Sequence, residues 1–136
     1  MNERIMIISD DEPNASLQRV LDGHGFTVTV AAEASDGYER LTQSHFDLVI
    51  VNLNRPITGV SLIKRIRSNP ALRRLMVLTI AEWGTGQPTM ALAQGADGFE
   101  PAPIDAGRLV AAVTKLLRPN MVMTATASST NAESEE

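Results

Sequence analysis

The sequence predicts a three-layer α/β fold, in which a doubly wound, five-stranded parallel sheet carries helices on both faces. The main observation is an alternation of short apolar runs with longer amphipathic stretches, which repeats five times. A second observation is the run over residues 48–51, which is apolar at every position and therefore typical of a strand covered on both faces. A length of 136 residues suits one such domain with a single core.

The first repeat joins a strand over residues 5–8 to a helix from Pro13 to about His24. Residues 5–8 are all apolar and stop abruptly at a cluster of acidic side chains. Proline suits the first turn of a helix because its missing N–H has no partner there. Gly23 and Gly25 flank the predicted end of the helix.

The second and third repeats follow the same pattern. Residues 26–31 alternate and are rich in β-branched side chains, so they predict a strand. The next helix is predicted over residues 35–44, where Gly37 lowers helix stability by about 1 kcal/mol relative to alanine. The strand over 48–51 leads to a helix whose inner side chains recur at helical spacing: Val60, Ile63 and Ile66.

The last two repeats are shorter. Pro70 ends the third helix, a fourth strand is predicted over residues 75–80, and a fourth helix over 89–94. Residues 98–101 form a short fifth strand, and Asp105 suits the N-cap of a final helix. The apolar stripe of that helix contains Leu109, Val110, Val113, Leu116 and Leu117.

Composition divides the chain into a domain over residues 1–118 and a tail over 119–136. Pro119 ends the last helix, and the segment TATASSTNAESEE is small, polar and acidic, which predicts a disordered or truncated linker. The formal net charge is −4, and the three glutamates of the tail account for most of it. This balance argues against a general nucleic-acid binder.

Several functional classes are excluded by composition. The chain has no cysteine, which excludes disulfides, thiolate zinc sites and cysteine nucleophiles. It has two histidines, His24 and His45, which we expect at the surface near helix ends. No apolar run approaches the roughly 20 residues that span a bilayer, and the N-terminal stretch is too short and acidic for a secretory signal. We therefore expect a cytoplasmic protein that makes no membrane contact.

Polar side chains follow the predicted strands where ligands bind in sheets of this kind, beyond the carboxyl ends of the strands. Asp10 and Asp11 follow the first strand, and Asn52 and Asn54 follow the third. The two later strands end at the following residues: Thr79 or Ile80 on the fourth, and Ala102 before Pro103 on the fifth. The sequence thus predicts a polar crevice at this edge.

Three segments of the chain, IISDDEP, DLVIVNLNRPITG and GADGFEPAP, resemble the receiver domain of bacterial response regulators, the CheY-like family. The resemblance covers residues 4–118. It implies a flavodoxin-like receiver fold with strand order 2-1-3-4-5. It also implies a role in two-component signal transduction or a phosphorelay, in the bacterial cytoplasm.

The resemblance implies a specific phosphorylation site, which this chain matches only in part. Asp10 and Asp11 match the acidic pair that holds Mg²⁺. The position of the phospho-acceptor aspartate holds Asn52, and the position of the strand-five lysine holds Ala102. The hydroxyl position falls on Ile80 without a gap, or on Thr79 after a shift of one residue. That choice stays open.

The chain lacks both the acceptor aspartate, at Asn52, and the lysine, at Ala102. A single substitution would be enough to disable phosphorylation on purpose, so the loss of both residues favours a natural pseudo-receiver over an engineered knock-out. We expect no enzymatic activity and signalling through protein–protein contacts. Phe99 occupies the position of an aromatic residue whose ring, in this family, can change rotamer on activation. Phe99 could equally well be an ordinary buried residue of the core.

The acidic pair permits two interpretations. Asp10, Asp11 and the Asn54 carbonyl could form a residual Mg²⁺ site, weakened by the loss of one anionic ligand. Alternatively the chain binds no cofactor, and Arg55 folds back over the aspartates, or water and backbone amides solvate them. Of these, we favour the interpretation without a metal.

The partner surface implied by the resemblance is the face of helix four, strand five and helix five, about residues 86–118. It would bind a signalling protein, a histidine kinase or an output partner, or a second copy of the chain, without contacting nucleic acid. Its polar side chains are Gln87, Thr89, Gln94, Asp97, Arg108 and Lys115. Trp83, in the loop after strand four, is either a partner anchor or locally packed.

Two other functions remain open. One is an active receiver phosphorylated at a non-standard residue, such as Asp10, Asp11 or Ser9. The other is a small-molecule-binding flavodoxin-like domain, for which the loop 84–86 is weak support. A basic group around helix three is expected to be a solvated helix face: Lys64, Arg65, Arg67, Arg73 and Arg74.

Overall fold

A computed structural model describes residues 3–9, 14–52, 56–81, 92–101 and 104–118. The strands are β1 (Arg4–Ser9), β2 (Thr27–Ala31), β3 (Leu48–Asn52), β4 (Met76–Ala81) and β5 (Gly98–Pro101). The helices are α1 (Asn14–Asp22), α2 (Ala34–Gln43), α3 (Pro56–Arg67), α4, described over residues 92–94, and α5 (Ala106–Leu117). A 3₁₀ turn at Pro70–Leu72 joins α3 to β4.

The five strands form one sheet in the order β2-β1-β3-β4-β5, and every neighbouring pair is parallel. This confirms the predicted fold class and strand order. The order reverses between β1 and β3, which are adjacent although β2 lies between them in the chain. A crevice for ligands forms at such a reversal in doubly wound sheets.

The core consists of two apolar clusters, one on each face of the sheet. Alternate strand residues, such as Ile8 and Val51, pack with α2 and α3. The residues between them, such as Ile7 and Ile50, pack with α1 and α5. Both faces of β1 and β3 are therefore buried, which is why these strands are continuously apolar in the sequence.

Most element boundaries agree with the sequence predictions within one or two residues. The β5 bounds agree fully, and Asp105 caps α5 as predicted because its carboxylate accepts a hydrogen bond from the Arg108 N–H at 2.9 Å. Pro13, most of the fourth predicted helix and the tail lie outside the described residues. Both histidines are exposed near helix ends, as predicted.

The interpretation of the basic group around α3 as one solvated face is wrong for Arg67. Its guanidinium donates to the carbonyl oxygens of Gly95 and Leu75, at 2.8 Å in both cases, and pairs with the Asp97 carboxylate. Only 20% of its side chain is exposed. Arg65 also has a specific contact, with its guanidinium carbon 4.0 Å from the centre of the Tyr38 ring. Helical spacing alone did not show these distant partners.

Candidate functional site

The carboxyl ends of the strands meet at one edge of the sheet. Ser9, the last residue of β1, lies opposite Asn52, which is the last residue of β3. At the outer side of the sheet, Ala81 of β4 lies opposite Pro101 of β5. The structure therefore brings the ends of these four strands to the edge that the sequence predicted for the site.

Asn52 is a half-buried residue at the centre of this edge. Its neighbour Ser9 is fully buried. Because Val51 lies opposite Thr79, the next step of the same register puts Ile80 level with Asn52. The central position therefore carries a neutral amide, which can donate and accept hydrogen bonds but holds no charge at any ordinary pH.

The two candidates for the hydroxyl position face opposite sides of the sheet. Thr79 is 7% exposed, and its hydroxyl donates a weak hydrogen bond of 3.5 Å to the Val51 carbonyl oxygen. Ile80 is 4% exposed and packs in the apolar cluster beneath α1 and α5. One candidate thus has its hydroxyl directed to the backbone, and the other has none. The choice between them stays a prediction.

Phe99 lies opposite Thr79 in β5 and is half-buried. Strand alternation puts it on the face of the sheet that Thr79 shares, away from α5. Both interpretations of this ring, as a switch or as a packing residue, stay predictions.

The remaining predicted site residues lie outside the part of the chain that the structure describes. They are Asp10, Asp11, Asn54, Arg55, Trp83 and Ala102. In the sequence Asp10 directly follows Ser9, the last residue of β1, and Ala102 directly follows Pro101, the last residue of β5. Within the described ranges no group of three or more histidine, aspartate or glutamate side chains could hold a metal ion.

The sequence analysis missed an ion pair beside this edge. Glu100 lies opposite Ile80 in β5, and its carboxylate is 3.4 Å from the Arg108 guanidinium in the first turn of α5. The Glu100 side chain is 17% exposed, whereas that of Arg108 is 61% exposed. A charged residue in the middle of a short strand was the available signal, since a partly buried carboxylate needs a partner.

The shifted pKa values lie at the opposite edge of the sheet. Arg118 hydrogen-bonds to Glu3 and lowers the pKa of that carboxyl, although partial burial acts in the other direction. The same contact raises the pKa of Arg118. Glu3 precedes β1 and Arg118 follows α5, so this pair is separate from the candidate site.

The strand order and the helices on both faces are those of a receiver-type signalling domain, and comparison with known proteins agrees. Residues 5–114 match the family model described as the response regulator receiver domain. The chain belongs to this family. Receiver domains of response regulators are in general not enzymes.

Individual relatives support the same assignment. The chain is 29% identical over 121 residues to the phosphate regulon transcriptional regulatory protein PhoB of Rhizobium meliloti, covering 87% of this chain and 53% of that protein. It is 31% identical over 117 residues to the transcriptional regulatory protein PrrA of Mycobacterium tuberculosis, covering 85% and 50%. The chain thus spans about half the length of the curated relatives it matches.

A structural neighbour supports the fold. The chemotaxis response regulator CheY4 of Vibrio cholerae superposes with a TM-score of 0.78 at 19% identity, over 86% of this chain and 100% of that one. This likeness shows the CheY-like fold, and the family match shows that the chain is a response regulator receiver domain. In the described part of the chain no helix is long and apolar enough to cross a membrane.

Proposed function

We propose that this receiver domain is a pseudo-receiver, which signals through protein–protein contacts without forming an aspartyl phosphate. The observation that carries the proposal is Asn52, which ends the central strand β3 opposite Ser9. In the family this strand end holds the aspartate that accepts the phosphoryl group.

The chemistry of phosphoryl capture supports the proposal. An aspartyl phosphate forms when a carboxylate oxygen attacks phosphorus. The Asn52 amide nitrogen is not nucleophilic, since its lone pair is delocalised into the carbonyl, and the amide oxygen carries no full charge. Ala102 supplies no ammonium to neutralise the phosphoryl oxygens, and the residue level with Asn52 on β4 is the aliphatic Ile80.

The metal site stays part of the proposal. Asp10, Asp11 and the Asn54 carbonyl would supply oxygen ligands for Mg²⁺, the hard cation that such ligands favour. With an amide at position 52 the site has one anionic ligand fewer than the family requires. We therefore propose that Mg²⁺ binds weakly or not at all, and that the protein needs no cofactor.

Phosphorylation by a small donor tests the proposal directly. The chain is incubated with acetyl phosphate and Mg²⁺, and its intact mass is measured. We expect no mass increase. A double variant, Asn52→Asp with Ala102→Lys, restores the missing carboxylate and ammonium and is expected to gain one phosphoryl group. A phosphoryl adduct on the unaltered chain would overturn the proposal, and would support the non-standard acceptor instead.

The surface formed by residues about 86–118 is the proposed partner face, for a histidine kinase, an output partner or a second copy of the chain. Among the described residues Leu92 is the one large apolar side chain that is strongly exposed, at 49%. A groove of about 420 Å³ lies between β5 and α5, and small residues, Gly98, Ala111 and Ala112, widen it. Apolar groups within a polar rim are typical of interfaces.

Co-purification from the native cell tests this face. The chain and a Leu92→Gln, Lys115→Glu variant are used as baits, and the recovered signalling proteins are compared. Both positions are exposed, so the fold should be unaffected. A control variant carries Glu39→Gln, an exposed change on α2. Recovery of the same partner by all three baits would place the interface elsewhere.

A further inference from the structure

The two outer strands of the sheet differ in how their free edges are protected. β5 contains Pro101, which has no N–H to donate, and Glu100, which pairs with Arg108. β2 contains no charged residue and no proline, and its residues are mostly β-branched, which favours strand pairing. Charges and prolines on an outer strand normally prevent it from pairing with another chain. β2 is therefore an unprotected edge, on the opposite side of the sheet from β5.

The outer side of β2 carries the backbone groups of Val28 and Val30. The Thr27 N–H donates to the Glu3 carbonyl oxygen at 2.9 Å, and Thr27 pairs with Arg4 in the parallel ladder. The N–H and C=O groups of successive strand residues point to opposite sides, so those of Val28 and Val30 point away from β1. Among the described residues none bonds to these groups. Two donors and two acceptors therefore face outwards.

The side chains of β2 are only partly covered. Val28 and Val30 contact the apolar cluster beneath α1 and α5, but both are half-buried. Their neighbours in β1, Ile5 and Ile7, are fully buried. Thr29, on the other face of the sheet, is half-buried as well. A further strand with β-branched side chains would cover all three residues of β2.

A second copy of β2 fits this edge when the two strands run antiparallel and Thr29 lies opposite Thr29 of the other copy. Val28 then lies opposite Val30 of the second copy, and the same pair recurs on the other side of the two-fold axis. Each such pair exchanges two backbone hydrogen bonds, so every outward group of both strands gains a partner. Any other register leaves part of β2 without a residue opposite it.

The groove beside this edge has balanced charge. It has a volume of about 490 Å³ and lies between Thr29 and α2. Its charged side chains are of both signs in equal number: Arg4, Arg40, Asp36 and Glu39. A strongly acidic or basic segment would be repelled by half of them. A second copy is complementary instead, because the two-fold axis sets the α2 helices antiparallel, with the acidic first turn of one beside the basic last turn of the other.

We infer that two copies of this chain pair through β2, antiparallel about a two-fold axis at Thr29, so that their sheets become one continuous sheet. The contact involves two short strands and the groove beside them, so the dimer is weak. β5 lies at the far edge of each sheet, which leaves the proposed partner face free on both copies. This inference does not depend on whether Asn52 prevents phosphorylation.

Cysteine cross-linking tests the register in the full chain, which has no native cysteine. Thr29→Cys puts two thiols on opposite residues whose Cα atoms are about 4.5 Å apart, a separation that a disulfide spans. We expect mild oxidation to link this variant into a dimer. The matched control is Thr27→Cys, the same change on the same face of the strand. Its two copies lie about 14 Å apart in this register, so they should link at least about tenfold more slowly.

Sedimentation equilibrium measures the association without a cross-link. The mean mass of the native chain should rise from monomer towards dimer with concentration. Thr29→Lys puts two like charges opposite each other and should weaken the dimer at least about tenfold. Thr27→Lys, which lies opposite Ala31 of the second copy, should weaken it far less. Circular dichroism of both variants reports whether the fold is kept, and Thr29→Cys still decides if the lysine variant unfolds.

Three results would overturn the inference. The first is a native chain that stays monomeric at every concentration. The second is an equal rate of cross-linking in the two cysteine variants, which would indicate random collision. The third is a dimer that the folded Thr29→Lys variant still forms with native strength, because the copies would then meet elsewhere, such as on the proposed partner face.

Discussion

At the scale of single residues, Gly37 determines how closely α2 approaches the sheet. It is a buried residue of α2, and a Cβ built on it would lie 2.4 Å from the Ile8 Cδ1 and 2.6 Å from its Cγ1. Ile8 is fully buried in β1, so its side chain has little room to move away. Gly37 therefore weakens α2 as an isolated helix, but it is required when α2 packs against Ile8, because a larger residue would clash there.

Gly37→Ala is expected to lower the free energy of unfolding by about 1–2 kcal/mol, because the overpacking cost exceeds the gain in helix propensity. Denaturant unfolding measures this change. Adding Ile8→Val, which removes the clashing Cδ1, should recover part of the loss. The matched control is Gly59→Ala in α3, where the new Cβ meets only the Val51 Cγ1 at 3.7 Å.

The control should change stability in the opposite direction. Gly59→Ala should stabilise the protein by up to about 1 kcal/mol, since the helix gains propensity without a clash. If both alanines stabilised the protein to the same degree, the close approach of α2 to Ile8 would be contradicted.

At the scale of elements, Arg67 connects three parts of the fold that are distant in sequence. It extends from the last residue of α3 to the Leu75 carbonyl before β4 and to the Gly95 carbonyl after α4. Asp97, its ion-pair partner, also accepts a hydrogen bond from the Val77 N–H at 2.8 Å. Gly95 has φ +117°, and a Cβ there would lie 2.5 Å from the Arg67 Cγ.

Arg67→Ala is expected to lower the free energy of unfolding by about 2–3 kcal/mol, because it leaves two carbonyl oxygens and a carboxylate without this donor. Amide hydrogen exchange should accelerate at residues 95–97, while exchange in β1 follows only the global stability. Arg67→Lys keeps the charge but not the planar fork, so it should recover only part of the loss. Full recovery by lysine would show that the charge alone stabilises this junction.

The same elements show what the sequence could predict. The central strands β1 and β3 were predictable because burial on both faces makes them apolar, as over residues 48–51. The Asp105 cap was predictable because its partner lies three residues away. The contacts of Arg67 were not predictable from the sequence. Its partners at positions 95 and 97 are brought near only by the packing of α3 against the sheet. Local spacing carries no information on such contacts.

The candidate site was predictable to the extent that it follows from strand ends. Asn52 could be placed at the carboxyl edge because all strands are parallel, and the structure places it there opposite Ser9. The hydroxyl position could not be decided, because a shift of one residue moves a side chain to the other face of the sheet. The register puts Thr79 level with Val51 and leaves Ile80 level with Asn52.

At the scale of the whole molecule, the first and last described residues are joined by one ion pair. Arg118 donates to both carboxylate oxygens of Glu3, and its guanidinium carbon lies 5.1 Å from the centre of the Phe26 ring. The pair links the start of β1, the entry to β2 and the end of α5. It therefore connects the sheet to the end of α5.

This pair predicts a pH dependence of stability with a definite sign. The Arg118 hydrogen bonds hold the pKa of Glu3 below 4.5, the ordinary value for a glutamate, because they favour the charged carboxylate in the folded state. A lowered folded pKa contributes stability that is fully present above 4.5 and is lost as pH falls through the lowered value. The Glu3→Gln variant makes no such contribution at any pH, because its side-chain amide does not titrate.

Urea unfolding of the native chain and the Glu3→Gln variant, measured from pH 7 down to pH 3, tests this expectation. The native chain should be the more stable at neutral pH, and the difference should narrow as pH falls below 4.5, because protonated Glu3 resembles glutamine in charge. Glu39→Gln serves as the control, since Glu39 is exposed and pairs with no cation in the described residues. A Glu3→Gln difference that stayed constant over this range would mean that the charged pair does not join the two ends of the described fold.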